Sequence, residues 1–274
     1  MKKRITTIIL VIMLAAGLSL LLYPTVSNWW NQRHQSHAIE NYQNAVDDMS
    51  DKEIERKWKA AREYNKKLKQ ADIYGLSKKE EKEYNSLLNI GGNGAMGYID
   101  IPSIKCHLPI YHGTSEAVLE TSVGHIPGTS LPVGGKSSHC VVSGHRGLPS
   151  AKLFTDIDKL KEGDIFTLTI LDKTLMYQVD QIRTVLPEDL SNLQISKGRD
   201  YCTLVTCTPY GINTHRLLVR GRRIADNSRL NIPAEAEKVD ERIVAPLMAI
   251  PILLILYIIL RIRSRRNKIQ EKED

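Results

Sequence analysis

The chain has 274 residues, 42% of them hydrophobic and 25% charged, with a formal net charge of +7. At roughly 100–200 residues per domain this is one or two domains with ample core, and the composition excludes a disordered, collagen-like or disulfide-dense chain. The positive charge sits at the ends: Lys2, Lys3 and Arg4 open the chain and the arginines and lysines of residues 261–274 close it, so the middle is nearly neutral and nucleic acid is not the expected partner.

Residues 1–4 form a basic end. Residues 5–23 carry no charge and stop at Pro24, and residues 243–260 are equally clean, with Arg261, Arg263, Arg265 and Arg266 directly behind them. About 20 helical residues cross a ~30 Å hydrocarbon core, so both runs are long enough to span a membrane as helices. Basic flanks stay on the cytoplasmic side, which predicts both termini inside and the intervening residues outside. A cleaved signal peptide is the other reading of the first run, although no clear Ala-x-Ala site follows it.

Residues 24–95 read as a helical region. Ile39, Tyr42, Val46, Met49, Trp58, Ala61 and Leu68 recur at three- and four-residue steps, which predicts one long helix over 38–70. Ser77 with Glu80 makes a capping box that opens a second helix to about Leu88, and the Gly91-Gly92-Asn93-Gly94 run marks a change of character. Over 96–225 the pattern becomes short β-branched runs between Gly and Pro: 97–101, 108–111, 138–143, 165–170, 175–185, 201–206 and 216–220. Short helical patches fall at 115–120 and 152–160. Strands at this spacing predict a mainly β domain, a closed antiparallel barrel of about eight strands. Residues 226–242 read as a polar linker and 261–274 as a basic cytoplasmic tail.

The four cysteines, Cys106, Cys140, Cys202 and Cys207, allow two disulfides in an exported domain, but Cys140 and Cys202 lie in apolar strand runs where Cys usually acts as a small buried hydrophobe. Neither Cys-x-x-Cys nor zinc-like His spacing occurs, so no metal or other cofactor is expected. Cys207 ends an apolar strand, a Pro-Tyr-Gly turn follows, and the return strand starts near Arg216. This arrangement can set a thiol at a barrel rim beside a cation, which raises its reactive thiolate fraction. His145 likewise follows an apolar strand and Gly144, and an imidazole of pKa ~6.5 can hold or deliver a proton. His215 and Arg220 are nearby decoys: Arg220 shares the parity of Arg216, while His215 points the other way if the strand has begun.

Thr203-Leu-Val-Thr-Cys207, the Thr208-Pro-Tyr-Gly-Ile-Asn-Thr-His-Arg216 run, Gly144-His145-Arg-Gly, Leu131-Pro-Val-Gly-Gly135 and Leu148-Pro-Ser-Ala-Lys-Leu-Phe154 resemble the motifs of the sortases, membrane-anchored cysteine transpeptidases of Gram-positive bacteria. The N-terminal helices and C-terminal span make the chain similar to class C, the pilin-polymerising members. The resemblance implies that Cys207 attacks the Thr–Gly bond of an LPxTG-like sorting signal and that His145 protonates the leaving amine. It also implies that Arg216 steadies the substrate or oxyanion, and that a Lys amine of another pilin accepts the acyl group. The partners so implied are pilin subunits and the lipid bilayer, with a monomeric catalytic domain in 96–225. Asp72-Ile73-Tyr74 falls where class C members carry an Asp-Pro-aromatic lid over the active site. The Asp and aromatic are kept and the Pro is lost, which implies a lid more easily displaced; an ordinary interhelix loop is the plainer reading. Attachment of proteins to cell-wall peptidoglycan is the alternative reaction, and a membrane-tethered scaffold is the alternative without catalysis.

Overall fold

The structure, a computed structural model, describes residues 2–68, 73 and 75–225. The polar linker (226–242), the C-terminal span (243–260), the basic tail, and Asp72 and Tyr74 lie outside the described residues. Two units are distinct, the stretch up to Trp29 and the one from Trp30 onward.

The first unit is helical. Its residues belong to α1 (Lys2–Asp47), which continues through Pro24 where the sequence suggested a stop. Proline removes one main-chain hydrogen bond without forbidding a helix, and such positions are well tolerated in apolar spanning segments. Among the described residues, α1 is the one helix long and apolar enough to cross a membrane.

In the second unit the expected helix over 38–70 is two. The main chain breaks after Asp47, and α2 (Asp51–Lys67) starts at Ser50, whose N–H and hydroxyl both donate to the Glu53 carboxylate, at 3.0 and 2.8 Å. A capping box satisfies orphan N–H groups at a new N-terminus and so stabilises a break that the apolar spacing alone does not reveal. The box at Ser77 and Glu80 opens α3 (Lys78–Ser86), as expected. These helices lay Tyr42, Val46, Trp58, Ala61, Tyr64 and Tyr84 onto the same apolar core as the barrel. Polar contacts set their seating: Tyr42 Oη donates to Met96 O (2.9 Å) and accepts from Leu171 N (2.8 Å), and Trp58 Nε1 donates to Asp172 (2.6 Å).

The barrel has eight strands: β1 (Ala95–Ile101), β2 (Cys106–His112), β3 (Val123–His125), β4 (Ser138–Ser143), β5 (Ile165–Ile170), β6 (Lys173–Val185), β7 (Asp200–Thr208) and β8 (His215–Arg223). It closes in the order β1-β2-β3-β4-β7-β8-β6-β5, so no sheet edge is left unpaired. Six of the eight pairings are antiparallel as expected, and two, β2 with β3 and β4 with β7, are parallel. The patch at 115–120 forms α4 (Glu116–Leu119), whereas 152–160 contains only a 3-10 turn, Ile157–Lys159.

Alternation along β4, β7 and β8 sorts their side chains onto two faces. Cys140, Val142, Cys202, Leu204, Leu217 and Val219 enter the main core inside the barrel. Val141, Val205 and Leu218 join Leu193 in a second, smaller cluster on the outer face. Successive strand residues point to opposite sides, so both clusters follow from one pleat.

Candidate active site

The outer face carries the candidate reactive residues. Cys207 shares parity with Val205, and Arg216 shares parity with Leu218. In the antiparallel β7–β8 ladder Cys207 stands opposite Arg216 as a Cα pair, next to Thr208 opposite His215. His215 therefore has the opposite parity to Arg216. Arg220 is on the Arg216 face but is held by Asp180 in a two-point contact (2.9 and 3.1 Å) and stacks over Tyr201 at 4.2 Å. Its charge is committed to the barrel wall. Among the described residues no carboxylate bonds Arg216, whose Nη1 donates to Asn213 O and His215 O at 3.1 Å each.

The β7–β8 connection makes that geometry possible. The Thr208–Pro209 peptide is cis, and both Ile212 N and Asn213 N donate to Pro209 O. Asn213 takes φ 62°, a left-handed conformation that asparagine adopts more readily than most residues. This turn returns the chain so that Arg216 lies beside Cys207.

His145 arrives from the parallel neighbour. The β4–β7 register runs from Ser138 with Asp200 to Ser143 with Val205. Gly144 N then donates to Val205 O (3.0 Å) and Thr206 Oγ1 donates to Gly144 O (2.7 Å), so the pairing persists beyond the regular strand. One residue further along, His145 is level with Cys207. A Cβ at position 144 would lie 2.7 Å from Phe154 and 2.8 Å from Val123, so only glycine brings the chain this close to the core. All three residues, Cys207, His145 and Arg216, are half-buried, accessible to a substrate yet shielded on the barrel side.

A contact that sequence reading missed joins the two sides. Arg146 donates to Thr208 Oγ1 (3.4 Å), bonds Asp158, and lies over the Tyr210 ring at 5.7 Å. Its side chain is only 11% exposed, and its Nε is buried without a partner. The residue after His145 is thus tied to the residue after Cys207. The adjacency of Arg146 to His145 was readable, but its partners at 158, 208 and 210 were not.

His139 lies deeper in the same face. Its Nδ1 donates to Gln194 O (3.0 Å) and its Nε2 accepts from Thr203 Oγ1 (2.7 Å). Burial lowers its pKa to about 4, so it is a neutral packing element. Ile73, the described residue of the Asp72-Ile73-Tyr74 segment, packs on the outer cluster together with Ile126, Val185 and Leu190. Among the described residues no group of three or more His, Cys, Asp or Glu is arranged to hold a metal ion.

A half-buried thiol facing a guanidinium, with an imidazole on the neighbouring strand end, is a constellation for covalent acyl transfer. Residues 99–224 match the family model described as the sortase domain. The chain is 27% identical over 205 residues to sortase A of Streptococcus agalactiae serotype III (strain NEM316), covering 73% of this chain and 77% of that relative. The crystal structure of sortase C1 from Streptococcus agalactiae superposes with a TM-score of 0.67 at 55% identity, over 70% of this chain and all of that one. The sortase C structure from Streptococcus pneumoniae, whose description concerns catalysis and pilin substrate specificity, gives 0.62 at 44% identity over 69% of this chain and 97% of that one. The chain belongs to the sortase family of cysteine transpeptidases, with pilin sortases of class C among its structural neighbours.

Proposed function

We propose that this enzyme polymerises pilins. Cys207 attacks the Thr–Gly carbonyl of an LPxTG-like sorting signal, the C–N bond breaks, and a thioacyl enzyme forms. His145 delivers a proton to the departing glycine amine and later takes one from the incoming lysine amine, whose nitrogen displaces sulfur to give an isopeptide bond. Arg216 holds the substrate backbone or the developing oxyanion, a contact of the kind worth ~3–4 kcal/mol in the barrier. The observation that carries this reading is the Cys207–Arg216 pair at the end of β7 and β8, with His145 brought level by the β4–β7 register. Similarity to enzymes described as pilin-related supports the choice of substrate.

The apolar part of α1 would anchor the enzyme, residues 243–260 would span the membrane again, and the barrel would face outward. Asp72 and Tyr74 would form a lid with Ile73, which rests on the apolar cluster of the catalytic face. Ile in place of the usual Pro leaves φ unrestricted there, so the lid is displaced more readily.

The deciding experiment incubates the full chain, in membranes, with a purified backbone pilin, followed by mass spectrometry. Formation of covalent oligomers and a Thr–Lys amide, both lost in Cys207→Ala, is expected. Attachment of single copies to a wall-precursor amine would favour peptidoglycan anchoring, and pilin cleavage unaffected by Cys207→Ala would end the enzymatic assignment. For the lid, Asp72→Ala with Tyr74→Ala should accelerate thiol labelling of Cys207, and unchanged labelling rejects it.

A further inference from the structure

The barrel contains a pair of thiols that the proposed transpeptidation does not use. Cys140 on β4 and Cys202 on β7 stand directly opposite each other in the parallel ladder. They are 2% and 0% exposed and both belong to the core inside the barrel. Hydrogen-bonded strands lie about 4.8 Å apart, which falls within the ~4.4–6.8 Å Cα separation that a disulfide bridges. Paired positions project their side chains to the same side, so the two sulfurs face one another.

Burial keeps both sulfurs from solvent, so exchange with an external reagent proceeds through local opening of the barrel, and the two thiols then differ in readiness to ionise. Desolvation opposes ionisation of Cys140, whereas the adjoining Cys202 thiol and the neighbouring His125 imidazole favour it and leave its pKa below the usual thiol value. Burial, with the thiol's role as donor to Cys140, pushes Cys202 up. His125 is fully buried and held in place, its Nδ1 accepting from Tyr84 Oη (3.0 Å) and its Nε2 donating to Ser130 O (2.8 Å). Of the pair Cys140 is the readier to ionise, and Cys202 keeps its proton until the second step. Cys106 provides the contrast: burial raises its pKa, and its thiol makes a 4.0 Å contact with the Leu153 carbonyl oxygen.

We infer that Cys140 and Cys202 form an oxidisable dithiol that closes to a cross-strand disulfide on reaction with an external disulfide. Cys140 sulfur attacks one sulfur of the reagent, whose S–S bond breaks to release one thiol and leave a mixed disulfide. Cys202 then loses its proton and attacks the Cys140 sulfur, expelling the second thiol. Two protein S–H bonds are exchanged for one S–S bond, and the reagent gains the two electrons and two protons. Each cysteine lies five residues before a proposed catalytic position, Cys140 before His145 just past the end of β4 and Cys202 before Cys207 on β7. The new bond therefore joins the two strands that deliver the imidazole and the nucleophile.

The test uses the full chain carrying Cys207→Ala, in detergent micelles, so that only Cys106, Cys140 and Cys202 remain. After incubation with oxidised glutathione under native conditions, the chain is unfolded at acid pH, residual thiols are blocked with N-ethylmaleimide in denaturant, and the chain is cut with trypsin. Cleavage after Lys136, Arg146, Arg199 and Arg216 isolates residues 137–146 and 200–216. The expected product is these two peptides linked, two hydrogens lighter than their sum and separated by reductant, with Cys106 recovered as the maleimide adduct. The further change Cys202→Ser should stop the reaction at a Cys140–glutathione adduct. Recovery of Cys140 and Cys202 as maleimide adducts overturns the proposal, and so does equal linkage of either one to Cys106.

Discussion

Arg146 reaches across the mouth of the site to Thr208, so that the neighbour of the proposed acid–base imidazole is bonded to the neighbour of the nucleophile. Just before these loops, Gly144 is held to β7 by its N–H on Val205 O and by the Thr206 hydroxyl on its carbonyl. Truncation in Arg146→Ala releases Thr208, Asp158 and the Tyr210 ring together. Misplacement of a reacting group by an ångström costs about 10–100-fold, so kcat should fall by that factor on an LPxTG peptide while KM changes little. Arg146→Lys keeps the charge without the planar fork and should recover part of the loss. A normal kcat in Arg146→Ala would show that the bonds at Gly144 position His145 unaided.

Arg216 is held through Nη1 by two backbone carbonyls. Removing a donor aimed at a developing oxyanion typically costs about 10²–10³-fold, which is the expected loss in kcat/KM for Arg216→Ala. Arg220→Ala should behave differently. It breaks the Asp180 pair and lowers the thermal midpoint, and per folded molecule it leaves turnover close to wild type. Peptide cleavage rates normalised to active-site titration separate the two arginines.

Gly144→Ala tests the close approach of the β4 end to the core. Its methyl group would collide with Phe154 and Val123, both fully buried. Overpacking of this kind costs about 1–3 kcal/mol, read as a lower thermal midpoint of the detergent-solubilised chain. Because relief of the clash moves the residue before His145, turnover should drop even at temperatures where the variant is folded.

Ile73 contributes apolar contact to the cluster beneath the site. Half-burial of such a side chain is worth about 1 kcal/mol, so Ile73→Ser should raise the labelling rate of Cys207 by roughly fivefold if the segment covers the thiol. Stopped-flow reaction with a methanethiosulfonate reagent measures this directly. An unchanged rate would mean that the contact has no part in gating the thiol.

His139 gives the protein an acid-sensitive component. Its folded pKa, lowered by burial to about 4, lies below the ~6.5 of an exposed imidazole. Above pH ~6.5 both folded and unfolded states hold it neutral and its stabilising contacts are fully present. As pH falls toward 4 the unfolded state takes up the proton first, and up to about 3 kcal/mol is lost across that window. Asp200, whose pKa burial raises, acts in the opposite sense above its unfolded value near 3.8: stability from its neutral form is lost as pH rises. Unfolding curves of wild type and His139→Gln isolate the histidine, since the variant should show a shallower decline between pH 6.5 and 4.

The features legible in the sequence were those written in local pattern. Strands β4 and β5 were read to the residue, and the positions of Cys207 and Arg216 at two facing strand ends followed from a turn between apolar runs. The capping box at Ser77 was found, while the same signal at Ser50 was passed over because the apolar spacing continued across it. Strand β3 has three residues, too few for alternation to register, and is held by pairing with β2 and β4. Parallel pairing of β4 with β7 was also hidden: alternation tells which way a side chain points, not which strand lies beside it or in which direction it runs. Arg146 was unreadable for the same reason, since its role depends on partners 12 to 64 positions away in the chain.

The strand order has a biosynthetic consequence. The groups proposed to act in catalysis, at the ends of β4, β7 and β8, meet only after the hairpin of β5 and β6 has been made and the last strand has paired. A growing polypeptide that has exposed Cys207 but not yet Arg216 lacks the residue that stands opposite it in the finished ladder. The proposed site is therefore absent from unfinished molecules and is assembled by closure of the cylinder.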